Sequence, residues 1–145
     1  MNKILKIIIS LCLAVFSNTL VFGKDNFFNE ALNLYENGKY DEAQFLFERN
    51  IVFNPKDASS YLYLAKIYNH EEDERKEEYN LETAMLIEPN NEEVLFMSMK
   101  VALKKSNYSK VKNLSQTFIK VCNKLCDKNK EIQDTLKNIE PKNES

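Results

Sequence analysis

The chain has 145 residues, with 20 lysines and arginines against 22 aspartates and glutamates, one histidine, two glycines and three prolines. This mildly acidic balance argues against nucleic acid as a partner, because binding it takes a basic surface. The length suits one small domain, and so few glycines and prolines leave little material for linkers.

The first predicted element is an export signal. Lys3 and Lys6 precede a run from Ile7 to Phe16 that is apolar except for Ser10, and Val21, Phe22 and Gly23 offer small or modest side chains before a cleavage point. Residues 1–23 therefore read as a secretory signal peptide, cleaved after Gly23. Its removal leaves 18 basic and 22 acidic side chains, a net charge of −4. The competing reading keeps residues 4–22 as a membrane anchor, since a spanning helix needs roughly 20 apolar residues. Ser17, Asn18 and Thr19 interrupt the run and favour cleavage. Lipid attachment at Cys12 is disfavoured by Leu11, which stands where a small residue is usual. Export predicts a bacterial periplasm as the compartment, with the membrane-anchored form facing the periplasm as the alternative.

From Lys24 onward the sequence predicts helix pairs repeating at a fixed interval. Pro55 and Pro89 lie 34 residues apart, and the residues around them repeat at the same spacing. The first unit, 24–57, places Phe27, Ala31, Leu34, Gly38, Tyr40, Ala43, Phe47 and Pro55 at positions 4, 8, 11, 15, 17, 20, 24 and 32. Small residues at positions 8 and 20 let two helices approach, aromatics fill the space between them, and Gly38 ends the first helix in the left-handed conformation. Glu30 and Asn50 interrupt the apolar pattern, which is expected where no upstream unit covers them. The second unit, 58–91, repeats the pattern with Tyr61, Leu64, Ala65 and Tyr68, and then with Leu81, Ala84 and Pro89. Glu72, Glu74 and Glu77 replace its glycine, aromatic and small residue, so a shifted or frayed turn is expected near residues 70–76. The third, 92–122, carries Leu95, Met99 and Ala102, a turn at Ser106, Asn107 and Tyr108, and a second apolar face of Val111, Phe118 and Ile119; Ser98 and Ser115 interrupt it. Ile132, Leu136 and Ile139 then mark an amphipathic capping helix over about 128–139, and 141–145 reads as a disordered tail.

This pattern resembles the tetratricopeptide repeat. The resemblance implies an all-α fold, an α-solenoid of about three helix-turn-helix repeats in a domain spanning 24–140, and a concave groove that binds a peptide or helix of another protein. It implies a groove lined by Phe28, Leu32, Tyr35, Leu62, Phe96 and Leu103, beside a basic stripe of Lys66, Lys100 and Lys104. Phe28 and Leu32 replace the lysine and asparagine of the family's dicarboxylate clamp. The competing reading has Phe28 and Phe96 simply packing on adjacent helices, with solvated lysines. Function is then expected to be that of an exported adaptor or scaffold, with a membrane-tethered assembly subunit as the alternative.

Chemistry-bearing clusters are sparse. His70 beside Glu71, Glu72, Asp73 and Glu74 lacks a second nitrogen or sulfur ligand, and the acids read as a solvated helix start. No phosphate loop, nucleophile elbow or zinc-protease motif occurs, so neither enzyme activity nor a metal or cofactor is predicted. Cys122 and Cys126 are either a disulfide formed in an oxidising compartment or two small buried apolar residues. Residues four apart in a regular helix hold their Cβ atoms about 5–6 Å apart, so a bridge requires the helix to break between them.

Overall fold

The computed structural model describes residues 26–139. The segment read as a signal peptide and the expected tail at 141–145 fall outside the described residues. Seven helices follow one another: α1 Asn26–Glu36, α2 Tyr40–Phe53, α3 Ala58–His70, α4 Glu74–Ile87, α5 Glu92–Lys104, α6 Tyr108–Val121 and α7 Lys128–Ile139. They pair as α1–α2, α3–α4 and α5–α6, each pair packs on the next, and α7 closes the far end against α5 and α6. The architecture is an all-α helical-repeat solenoid.

The 34-residue interval governs both ends of the second helices and the ends of the first helices in the three pairs. The second helices start at 40, 74 and 108, and the first helices end at 36, 70 and 104. Backbone hydrogen bonds in the intervening turns explain this. Gly38, Glu72 and Ser106 are left-handed, with φ of 74°, 59° and 55°. In each turn the next N–H crosses back to the helix just ended: Lys39 to the Leu34 carbonyl, Asp73 to Tyr68 and Asn107 to Ala102, at 2.9, 2.9 and 2.8 Å. These are Schellman closures. The turn at 70–76 is thus neither shifted nor frayed, contrary to expectation. Its conformation is set by carbonyl satisfaction, and a glutamate tolerates it at the cost of left-handed strain. Asp73 and Asn107 add side-chain caps to α4 and α6, accepting from the N–H groups of Lys76 and Lys110.

Three apolar clusters form the core, and each straddles a boundary between units. Ala31, Ala43 and Phe47 meet Leu64, Ile67 and Tyr68 of the second pair. Leu62, Ala65, Leu81 and Ala84 meet Val94 and Val101 of the third. Leu95, Met99, Ala102, Val111 and Phe118 meet Ile132 and Leu136 of α7. Ala31, Ala43, Ala65 and Ala84 have no exposed surface, consistent with close helix approach at these points. Ile119 departs from its expected place on the inner face and is 58 % exposed. One residue beyond Phe118 on a helix turns about 100° away from it. Ile139, at the end of α7, is 44 % exposed.

The polar interruptions are mostly satisfied. Asn50 is buried toward the second unit, so an absent upstream neighbour does not account for it; its amide donates to Asp57 at 2.8 Å and Ser60 at 2.9 Å. Ser115 donates to Asn129 Oδ1 at 2.7 Å and accepts from Gln133 Nε2 at 2.8 Å, which ties α6 to the cap. Glu77, at the close contact of α3 and α4, has a side chain only 3 % exposed. It accepts from Asn69 Nδ2 at 2.9 Å and faces Lys104 Nζ at 3.7 Å, which offsets the desolvation of its charge. Ser98 Oγ is buried with no hydrogen-bond partner.

Cys122 ends α6 in an extended conformation, and its Sγ is bonded to that of Cys126, with the Cα atoms 5.2 Å apart. The intervening loop turns three amides onto one carboxylate: Asn123, Lys124 and Leu125 N–H donate to Glu92 Oε2 at 2.7, 3.0 and 3.1 Å. These bonds hold the Glu92 carboxyl below its usual pKa, the Asn123 amide contributing most.

Candidate protein-binding face

The first helices α1, α3 and α5 lie side by side and present the positions expected to line a groove. At the α1–α3 end those positions form an aromatic cluster. Tyr63 is its centre: its ring stacks on Phe47 at 5.2 Å and meets Phe28 at 6.0 Å and Tyr35 at 5.1 Å. Phe28 also packs on Phe47, and Tyr35 on Tyr40. Burial raises the pKa of the Tyr35 and Tyr63 hydroxyls, Glu93 adding to the effect at both, so they remain protonated. His70 lies against Tyr40, with ring centres 4.5 Å apart.

The expected basic stripe is largely answered from within. Lys66 is only 18 % exposed; its ammonium lies 2.8 Å from Glu93 and 4.3 Å above the Tyr63 ring. Lys104 faces buried Glu77. Lys100 is exposed, 5.8 Å over the Phe96 ring. Phe96 and Leu103 are half-buried against the third core cluster, and Leu32 is half-buried on α1. Leu62 is buried in the second cluster and takes no part in a surface. The partly accessible apolar positions on this face are thus Leu32, Phe96 and Leu103, beside Lys100, with Phe28 and Tyr35 committed mainly to packing.

Tyr63 and Glu93 are absent from the expected set although they shape this face. Tyr63 stands at position 6, outside the positions the resemblance assigns to the groove. Glu93 is position 2 of the third unit and meets position 9 of the second. That pairing is legible only once adjacent units are known to stack in register.

Open depressions lie elsewhere among the described residues. One of about 440 Å³ is lined by Glu30, Leu34, Asp41, Glu42, Phe45 and Leu46 at the α1–α2 end. Another of about 290 Å³ lies between α4 and α6, lined by Glu82, Met85, Leu86 and Lys110. Among the described residues no group of three or more His, Cys, Asp or Glu side chains is placed to hold a metal ion, and no helix is long and apolar enough to cross a membrane.

Neither a protein-family model nor a curated protein matches the sequence. Solved structures do share the fold. The type III secretion chaperone SycD of Yersinia enterocolitica, solved with a peptide of the translocator YopD, superposes with a TM-score of 0.68 at 16 % identity, over 79 % of this chain and 90 % of SycD. The Arabidopsis OM64 TPR domain gives 0.69 at 15 % identity, covering 79 % of this chain and 94 % of that domain. The Sgt2 TPR domain of Aspergillus fumigatus gives 0.67 at 15 % identity, covering 81 % and 79 %. At these identities the likeness establishes the fold, a tetratricopeptide-like α-solenoid.

Proposed function

We propose that the chain is an exported protein-interaction module, an adaptor or scaffold, that holds a peptide or helix of another envelope protein on the α1–α3–α5 face. The observation that carries this reading is the partly exposed apolar surface of Leu32 on α1 and of Phe96 and Leu103 on α5, the latter two beside exposed Lys100. Support also comes from SycD, a protein of this fold that holds a peptide of a second protein. Fold alone does not set function, so the reading stands on that surface. The ligand it fits has aromatic or aliphatic anchors and at most a few carboxylates, because Lys66 and Lys104 are already paired with Glu93 and Glu77. Export rests on residues 1–23.

Affinity capture from the cell envelope of the source organism, followed by mass spectrometry, identifies the partner. With it in hand, Phe96→Ala is expected to weaken binding by roughly 1 kcal/mol or more, as for an interface hot spot. Lys100→Glu should slow association and reduce its salt dependence. Unchanged affinity in both variants would move the partner off this face. N-terminal sequencing of the native protein tests export: Lys24 as the first residue is expected, whereas retained Met1 would replace the exported reading with the membrane-tethered one.

A further inference from the structure

Each helix pair after the first is covered on its upstream side by the second helix of the pair before it. In the second pair the residues equivalent to Glu30 and Leu34 are Leu64 and Tyr68, 3 % and 5 % exposed. The Tyr68 hydroxyl lies within hydrogen-bond distance of Gln44 and Glu48 of the covering α2, at 3.1 and 3.2 Å. In the third pair they are Ser98 and Ala102, both buried. The first pair has the same seat with no helix on it among the described residues. There the seat is the 440 Å³ depression, lined by half-buried Leu34 and Leu46 with Phe45, Glu30, Asp41 and Glu42 at its rim. Phe45 is 62 % exposed.

Charge defines what fits. In the third pair the seat presents Lys110, and the covering α4 answers with Glu78 and Glu82, whose carboxylates lie 3.4 and 2.9 Å from the ammonium. Those glutamates are four residues apart, on one helix face. The residue of the first pair that corresponds to Lys110 is Glu42, with Asp41 beside it and Glu30 across the depression. Lys39, 3.6 Å from Glu42, offsets one of these charges and is itself largely exposed. The sign at the seat is therefore reversed. A helix seated as α4 is seated would carry Lys or Arg in place of Glu78 and Glu82, and apolar side chains in place of Leu81 and Met85. Continued upstream in the same register, this chain would offer Ser10 and Ala14 at the two charged places. In that register its own N-terminal segment supplies neither base.

We propose that the α1–α2 end is a docking seat for an amphipathic helix of a partner protein, bearing two basic residues four apart along the edge of an apolar stripe. The seat is separate from the α1–α3–α5 face and does not depend on what that face binds.

The test uses the full chain labelled with ¹⁵N and two lactam-bridged helical peptides of 16 residues. One carries lysine at the two charged places, with leucine three and seven residues after the first lysine; the other carries glutamate in place of both lysines. The lysine peptide is expected to shift the amide signals of Leu34, Glu42 and Phe45 and to bind about tenfold more tightly than the glutamate peptide. Asp41→Lys with Glu42→Lys should invert that preference, and Phe45→Ala should weaken both peptides. All three side chains are exposed, so folding is expected to survive, and Glu30→Lys alone serves if the double variant melts early. Amide shifts confined to Phe96 and Leu103, no binding, or a preference that survives the charge reversal would each overturn the proposal. So would sedimentation showing a dimer that Phe45→Ala dissolves, since the occupant would then be a second copy.

Discussion

Gly38, Glu72 and Ser106 occupy one point of three equivalent turns, and only the first is a residue for which positive φ carries no steric strain. A Cβ at Gly38 would meet nothing within 4 Å, so Gly38→Ala is expected to cost only the left-handed penalty, about 1–2 kcal/mol. Glu72→Gly should act in reverse. Relief of that strain, less the freedom glycine gains in the unfolded chain, leaves a stabilisation of roughly 0.5–1 kcal/mol. Urea denaturation of both variants checks the pair, and an unchanged midpoint for either would contradict the turn geometry. Ser98 makes a similar local case. Its hydroxyl is buried without a partner, and Ser98→Ala is expected to raise stability by about 1 kcal/mol, read from the same transition. Sequence marks all three turns but hides that those at Glu72 and Ser106 close as the glycine turn does, because a Schellman closure is made by backbone groups that every residue possesses. Glu77 was legible as a conflict with close packing. Its resolution by Asn69 and Lys104 was not, since that requires three-dimensional neighbours eight and 27 residues away.

Among elements, α1 with α2 and α7 with its loop set the most direct tests. Ala43 is fully buried at the α1–α2 approach, so Ala43→Leu is expected to lose about 1–3 kcal/mol through overpacking, visible as a lower melting temperature. The loop after α6 is expected to respond to pH through Glu92. The folded pKa of Glu92 lies below the ordinary 4.5, so its bonds contribute fully above the ordinary range and are lost as pH falls through the lowered value. Wild type should therefore lose more melting temperature than Glu92→Gln between pH 7 and pH 3. Equal losses would remove Glu92 from the joint. The helix break at Cys122 was readable as a condition for pairing the cysteines. The amide cradle they enclose was not, because nothing in the spacing of Cys122 and Cys126 points back 30 residues to Glu92.

In the whole molecule, the placement of the three core clusters across unit boundaries makes neighbours mutually dependent, as expected for a solenoid. Replacing Ile132 and Leu136 together by serine should therefore uncover the third cluster without touching the α1–α2 pair. Native-state hydrogen exchange is expected to accelerate in α6 and α5 first and in α2 least. Uniform acceleration would mean that the array opens as one unit. The fold was legible in the sequence because periodicity and small-residue positions recur three times and reinforce one another. The candidate face was only partly legible: repeat position leaves Lys100 exposed and Phe96 half-buried, but cannot tell that Leu62 sinks into the core or that Glu93 occupies Lys66.

Among the described residues, the cap and its disulfide loop close one end of the stack, while no helix covers the α1–α2 seat at the other. The molecule is therefore directional as a building block. A further helix pair fused ahead of Asn26 in the 34-residue register would meet a surface already shaped for it. The same pair appended after Ile139 would follow a helix whose apolar side chains, Ile132 and Leu136, are already spent on α5 and α6. Chimeras lengthened at the front should gain cooperativity with each added pair, and those lengthened at the back should melt as two separate bodies.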